Sequence, residues 1–393
     1  MSDDIFIVGG ARTPMADYTG RLKDLSAIEL GAIAARAALE RTGVQPASVD
    51  HVVFGNVLQT SADAVYGARH VGLKAGLPVE VPALTVNRLC GSGIQAAISG
   101  GQMIRLHEAD IVLTGGMESM SQAPHVIRGL RNGLRLGQGE LEDSLWSALL
   151  DTHCGCTMAA TAENCASTYE ISREEQDRYA IRSQQLAEAA WKAGRFDDEV
   201  VPVEVKARKG VELFARDDHM RPDSTLEGLA KLPPAFSKTG CVTAGNASGI
   251  VDGGAALVLA SAAGVKRYGL EPLARLTEWA TVGVEPVLMG MGPVPATRKV
   301  LQKAGLTLKD VDLIEVNEAF AAQYLSVEKE LGLDRDRVNV NGGAIALGHP
   351  LGMTGTRLLL TLVLELRRRG LQRGLATACI GGGQGIAAIV ETV

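Results

Sequence analysis

Two cysteines and one histidine sit in glycine-rich runs whose residue types suit group transfer. The first run is Val86-Asn-Arg-Leu-Cys90-Gly-Ser-Gly93. A cysteine on a strand-to-helix turn faces the free N–H groups and positive dipole end of the helix. Those lower a thiol pKa and can hold an oxyanion. The flanking glycines let a substrate come close to the backbone. The plainer reading is a tight turn around a buried thiol. The second run, Asn339 to Gly355, carries Gly348-His349-Pro350. Proline stiffens the turn at the histidine, and an imidazole can take a thiol proton near neutral pH. The run has no G-x-x-x-x-G-K-[ST] pattern, so it is not a phosphate loop of that kind. The third run is Cys379-Ile-Gly381-Gly-Gly-Gln-Gly385, and the fourth is Asn317-Glu318-Ala319-Phe320 after an apolar strand. Asn317 has the chemistry to hold a water or donate to an oxyanion, and equally to cap a helix. Cys154-x-Cys156 beside His153 matches no common zinc spacing, and no metal site is expected.

These groups need a frame. Strand and helix patterns alternate: strand Ile5–Val8, helix Ser26–Arg41, strand His51–Phe54, helix Val65–Ala75, strand Leu84–Asn87, helix Ile94–Leu106, strand Asp110–Gly115. That rhythm predicts an α/β unit with a largely parallel sheet. From about Ser121 to Gly249 the rhythm stops. Here lie Arg128, Arg131 and Arg135, and an amphipathic helix over Ser172–Ala193 opened by the capping box Ser172 to Glu175 and closed by Gly194. Basic residues follow at Lys206, Arg208, Lys209, Arg216 and Arg221. The α/β rhythm returns at Ala255–Ala260. The predicted organisation is an N-terminal half, 1–120, completed by about 250–270, an inserted loop domain at 121–249, and a C-terminal half at 271–393.

The two ends resemble each other. Leu39, Gly43, Val49 and Asp50 fall on Leu301, Gly305, Val311 and Asp312 with a constant shift of 262 positions. Cys90 and its glycines can also be laid on Cys379 and its glycines, with a shift of 289. Both would then be strand–Cys–Gly–helix turns at equivalent places of a duplicated unit.

Composition narrows the function classes. The net charge of −6 disfavours a nucleic-acid or anionic-membrane binder. No apolar run reaches the length of a membrane span. The acidic start, Met-Ser-Asp-Asp, does not read as a targeting peptide, and six cysteines in 393 residues point to a reducing compartment. The expected location is the cytoplasm, with the mitochondrial matrix as the alternative. Glycine is in excess, 46 of 393 residues.

Taken together, Asn87-Arg-Leu-Cys-Gly-Ser-Gly93, Gly116-Met-Glu-Ser-Met-Ser121, Asn317-Glu-Ala-Phe320, Gly342 to Pro350 and Cys379 to Gly385 resemble the thiolase family along essentially the whole chain. The resemblance implies a five-layer α-β-α-β-α fold of two duplicated halves plus an inserted loop domain. It implies an acyl-CoA:acetyl-CoA C-acyltransferase working by a cysteine acyl-enzyme. Cys90 is then the nucleophile, with His349 activating it. His349 and a water on Asn317 make one oxyanion hole, the N–H groups of Cys90 and Gly381 make the other, and Cys379 is the acid/base. Coenzyme A enters as a substrate and no cofactor is needed. Its implied contacts are Arg221, Ser224, Ala244, Ser248, Met158, Met289, Ala319 and Phe320, while Arg208 and Lys209 read as a solvated basic face. A homotetramer, a dimer of dimers, is implied by the position of Pro124–Gly139. Thr157-Met158-Ala159 stands where short-chain biosynthetic members read His-Met-Gly, and Glu142-Asp-Ser-Leu-Trp146 looks like the mitochondrial-type 3-ketoacyl-CoA thiolases. That favours a broader chain length. The alternatives are a ketoacyl-synthase-like condensing enzyme, against which Cys379 stands, and an inactive lipid carrier of the same fold.

Overall fold

The computed structural model describes residues 4–207, 210–235 and 237–393. Nine strands carry the frame: β1 (Ile5–Arg12), β2 (His51–Gly55), β3 (Ala83–Val86), β4 (Ile111–Glu118), β5 (Val251–Ser261), β6 (Ala274–Gly283), β7 (Leu313–Val316), β8 (Arg373–Ile380) and β9 (Gln384–Thr392). With Ala16–Asp17 paired to β5, they form one ten-stranded sheet in the order β7-β8-β9-β6-β1-β5-β4-β2-β3. The halves meet where β1 pairs antiparallel with β6, Phe6 opposite Arg275. Each half repeats one order, for Val338 bridges Ile314 of β7 in parallel where β3 flanks β2.

The sheet is mixed, which corrects the largely parallel expectation. Only β7/β8, β4/β2 and β2/β3 run parallel. β8 and β9 are antiparallel because the three-residue turn Gly381–Gly383 joins them, and a turn that short joins only antiparallel neighbours. Gly382 and Gly383 stand at φ 78 and 81, open to glycine.

The same turn corrects the second alignment. Cys379 lies inside strand β8 and is followed by a hairpin, whereas Cys90 precedes a helix. The shift of 262 is the real repeat. Asp50 Oδ2 accepts from the N–H groups of Asp110 and Ile111, both at 2.8 Å. Asp312 Oδ2 accepts from Gln372 and Arg373 at 3.0 and 2.8 Å. In both halves one carboxylate ties the edge of one strand to the start of the next.

Alternation along the strands builds the layers. One face of both half-sheets (Ile7, Val53, Val112, Leu257; Leu276, Ala378, Ile380, Ala388) packs on α3 (Ser92–Arg105) and α8 (Leu351–Arg369), which form the middle layer. The other face of the N-terminal half (Val52, Phe54, Leu113, Val258) meets α1 (Ala27–Thr42) and α2 (Gly67–Lys74). That of the C-terminal half (Ile314, Val316, Leu375, Ile389) meets α6 (Pro293–Ala304) and α7 (Ala321–Leu331).

The middle layer is very tight. A Cβ on Gly93 of α3 would stand 2.3 Å from the backbone N of Thr356, and one on Gly355 of α8 would stand 2.4 Å from the N of Ile94. The two helices therefore cross backbone to backbone, with Cys90 and His349 just ahead of their first turns.

The insertion carries α4 (Met158–Tyr169) and α5 (Arg173–Lys192). The capping box of Ser172 and Glu175 forms, and Gly194 at φ 66 follows the helix end. Arg12, fully buried, pairs with Glu199 at 2.6 Å and Asp217 at 2.7 Å and so holds the insertion to β1. Such a pair is retained because its loss would strand buried charge. Gly355→Ala is expected to lower stability by about 1–3 kcal/mol through overpacking, read as a lower urea midpoint with unchanged slope. An unchanged midpoint would mean that the helices separate freely.

Candidate active site

Cys90 sits between β3 and α3 on a turn that its neighbours hold rigid. Leu89 has φ 47, unusual for a residue with a side chain, and such backbone costs about 1–3 kcal/mol. Asn87 Oδ1 accepts from the Leu89 N–H at 2.9 Å. Ser92 Oγ accepts from the Arg88 N–H at 2.8 Å and donates to the Leu89 carbonyl at 2.7 Å. The N–H groups of Gly91 and Ser92 donate back to Arg88 and Leu89. They are thus withdrawn from the sulfur, and the expected lowering of the thiol pKa does not occur. Burial pushes the Cys90 thiol up to about 11, against the pull of the N–H groups of Gly381 and of Cys90 itself.

His349 is buried ahead of α8, and its hydrogen bonds fix the tautomer. The Thr354 hydroxyl donates to the Pro350 carbonyl at 2.9 Å, so its oxygen accepts from His349 Nδ1–H at 2.6 Å. Nε2 is then the unprotonated nitrogen, and it accepts from Asn317 Nδ2 at 3.3 Å. Burial, then the Arg357 charge, pull the imidazole pKa down to about 3, so His349 is neutral at rest. Cys379 is fully buried, packed with Met158, Met289, Ala319 and Phe320. Burial, then the neighbouring Cys90, push its thiol well up.

A cavity of about 560 Å³ opens over these groups. Of the residues expected from sequence, Cys90, His349, Gly381, Met158, Met289, Ala319, Phe320, Ala244 and Ser248 line it. Asn317 and Cys379 lie just beneath the lining. The 244–248 segment is zipped to the Asn317 run, with Ser248 N–H donating to Ala319 O at 3.0 Å. Arg221 and Ser224 are not in the lining. Arg221 pairs with Asp17 at 2.8 Å, and Ser224 donates to the Arg221 carbonyl at 2.7 Å. Asp17 and His219, joined at 2.5 Å, are the residues of this cluster that reach the cavity. Arg208 and Lys209 lie outside the described residues.

Three positioning residues escaped the sequence reading. Thr354 fixes the histidine tautomer. Glu118, at the end of β4, accepts from Asn56 Nδ2 and from the N–H groups of Val57, Leu58 and Gly352, binding the β2 loop to the first turn of α8. Burial pushes its carboxyl up to about 7. Glu318 accepts from Tyr179, Ser183, Asn339 and the Ile345 N–H, locking the histidine run to α5. The sequence signal for both glutamates was position: Glu118 is the last residue of β4 and Glu318 follows two residues after β7. Among the described residues no three His, Cys, Asp or Glu side chains group as metal ligands.

A neutral thiol beneath an amide donor, a single-tautomer imidazole and a second buried thiol at one apolar cavity are the parts of a thiol-dependent acyltransferase. The comparisons with known proteins specify which. The thiolase N-terminal domain matches residues 5–263 and the thiolase C-terminal domain residues 270–392. The 3-ketoacyl-CoA thiolase, mitochondrial, of Homo sapiens is 56% identical over 389 residues, 99% of this chain and 98% of that protein. The acetyl-CoA acetyltransferase of Pseudomonas aeruginosa is 52% identical over 390 residues, 98% of each. The crystal structure of human mitochondrial 3-ketoacyl-CoA thiolase in complex with CoA superposes with a TM-score of 0.97 at 55% identity, covering 99% of this chain and 98% of that one. The chain belongs to the thiolase family and is an acyltransferase.

His349 also couples stability to pH. The unfolded chain takes up its proton near 6.5 and the folded one only near about 3. Acidification therefore favours unfolding, and this contribution to stability rises with pH between those values. Wild type is expected to lose about 2 kcal/mol more than His349→Asn between about pH 7 and about pH 5. Parallel denaturation curves at both pH values for the two proteins would refute the neutral imidazole.

Proposed function

We propose that the chain uses this cavity to cleave 3-ketoacyl-CoA thiolytically, and in reverse to condense acetyl-CoA, with coenzyme A as substrate. The observation that carries the reading is the Gly381 N–H directed at the Cys90 sulfur in a cavity that the neutral His349 also lines. His349 Nε2 takes the Cys90 proton. The thiolate attacks the 3-keto carbon of the substrate, and the carbon–carbon bond breaks to leave the acyl group on sulfur and acetyl-CoA as its enolate. The N–H groups of Cys90 and Gly381 face one developing oxyanion, and His349 with a water on Asn317 faces the other. Cys379 protonates the enolate carbon. Coenzyme A then attacks the acyl-enzyme and releases a shortened acyl-CoA, giving ping-pong kinetics. Every step is assigned to side chains and backbone amides, with no resident cofactor.

The inserted segment is the coenzyme A binder in this reading. Its Met158, Ala244 and Ser248, with Met289, Ala319 and Phe320 of the C-terminal half, take the pantetheine arm, and Arg221 and Ser224 at the rim take phosphate. A CoA complex of the human relative supports it. The apolar wall of Leu89, Met120, Trp146, Leu149 and Leu351 supports the broader 3-ketoacyl specificity over an acetoacetyl specialist. The loop from Pro124 exposes Leu130, Leu134, Leu136 and Leu141, which supports a tetramer made through it. No helix of the described residues is long and apolar enough to cross a membrane. The compartment proposed is the cytoplasm or, as in the human relative's name, the mitochondrion.

Intact-protein mass spectrometry is expected to find an acyl adduct after acetyl-CoA on wild type and Cys379→Ala but not on Cys90→Ala, with condensation lost in Cys379→Ala. An adduct on Cys90→Ala, or normal condensation by Cys379→Ala, would overturn the assignments. In a thiolysis series, 3-ketohexanoyl-CoA is expected to be cleaved at a rate comparable to acetoacetyl-CoA. Activity confined to acetoacetyl-CoA would refute the broad specificity.

A further inference from the structure

The Cys154-x-Cys156 motif belongs to neither the acyl chemistry nor a metal site, yet the residues on both sides of it line the cavity. Leu150–Asp151 pairs with Cys156–Thr157 as a short antiparallel hairpin, Leu150 opposite Thr157 and Asp151 opposite Cys156. Its loop is closed by the Gly155 N–H on the Asp151 carbonyl at 2.8 Å, with Gly155 at φ 70. Both thiols turn inward over this loop. Cys154 Sγ lies 4.0 Å from the Asp151 carbonyl and Cys156 Sγ 3.7 Å from the Cys154 carbonyl. They are also within hydrogen-bonding reach of each other. Residues two apart span at most about 7 Å when extended, and the left-handed turn at Gly155 shortens this toward the separation of about 4.4–6.8 Å that a disulfide bridges. Neither thiol is fully buried, in contrast to Cys165 and Cys379.

The hairpin is coupled to the reacting groups within three residues. Leu150, Asp151, Thr152 and Thr157 line the cavity. Thr157 caps α4 by accepting from the Ala160 N–H at 3.2 Å. Met158, the next residue, packs on Cys379, and its sulfur stands 3.1 Å from where a Cβ on Gly381 would be.

We propose that Cys154 and Cys156 form a reversible disulfide that shifts Met158 against Gly381 and Cys379 and slows the enzyme when the thiol pool is oxidised. The oxidant is a small-molecule disulfide such as oxidised glutathione. One thiolate of the pair attacks it, its S–S bond breaks, one glutathione thiolate leaves and a mixed disulfide forms. The second thiolate attacks the protein sulfur of that bond and expels the other glutathione. Two electrons pass from the two protein thiols to the glutathione disulfide, and their two protons end on the two glutathione thiols. A ring this small is strained and therefore readily reduced, as a regulatory bond must be.

The test equilibrates wild type and Cys154→Ser across a series of oxidised-to-reduced glutathione ratios. Free thiols are then blocked with N-ethylmaleimide, peptides are mapped by mass spectrometry, and thiolysis is assayed. The expected result is a wild-type peptide carrying Cys154 and Cys156 unalkylated and two hydrogens lighter, with a rate lower by about tenfold. Dithiothreitol restores both, and Cys154→Ser keeps its rate. The mass readout does not depend on the enzyme's activity. Alkylation of both thiols at every ratio would overturn the proposal. So would a disulfide with no change in rate, or a Cys154→Ser rate that falls in parallel with wild type through oxidation elsewhere.

Discussion

The geometry of this site rests on the contact between two helix backbones. At the Gly93–Gly355 crossing no side chain intervenes between α3 and α8. The N-terminal ends of both helices are thereby fixed side by side, and Cys90 of one half and His349 of the other line one cavity. The constraint extends to the sheet, where a Cβ on Gly116 would fall 1.9 Å from the Gly352 carbonyl. Helices buried between two sheet faces normally pack through side chains with about 8–10 Å between axes. Here glycines bring the axes closer, and the surrounding small residues follow from it. Much of the glycine excess is explained in this way, and the glycines flanking Cys90 serve packing: a Cβ on Gly91 would meet Ile380 and Ile386.

The second theme is neutrality at rest. Two thiols held well above their ordinary pKa and an imidazole held well below it leave the floor of the cavity uncharged. Burial is the leading cause in all three. The charges that the structure does bury are set back and surrounded by donors, as Glu118 and Glu318 are, or paired, as Arg12 is. Amide donors at the Cys90 sulfur suit a site that stabilises negative charge where it develops and does not store it beforehand.

The sequence made the alternation of elements, the capping box at Ser172 and the gathering of Cys90, His349 and Cys379 at one cavity legible, because each rests on local patterns. The duplication was legible through Asp50 and Asp312, which perform one backbone-capping task twice. It was misread through the cysteines, since Cys-Gly-rich runs look alike whether a helix or a hairpin follows. Strand direction was hidden, because buried Ala, Val and Leu runs read the same both ways. The raised Cys90 pKa was hidden too: the turn consumes its own N–H groups, a tertiary detail of Leu89 and Ser92. Thr354 left no trace, being one polar residue on a buried helix, and Arg221 matched a motif while its side chain engages Asp17.

The two halves differ most at one equivalent connection. Between β4 and β5 the chain spends residues 119–250, while between β8 and β9 it needs only Gly381–Gly383. A repeated unit contains two copies of every loop, so one copy was free to grow into a lobe along the cavity while the other stayed a minimal turn. The short copy keeps Cys379 and the Gly381 amide within a few bonds of a rigid sheet. The long copy can diverge in sequence, cysteine content and cavity shape without disturbing them. One wall of the cavity is therefore set by a long segment, and the amide facing Cys90 by a turn of three glycines.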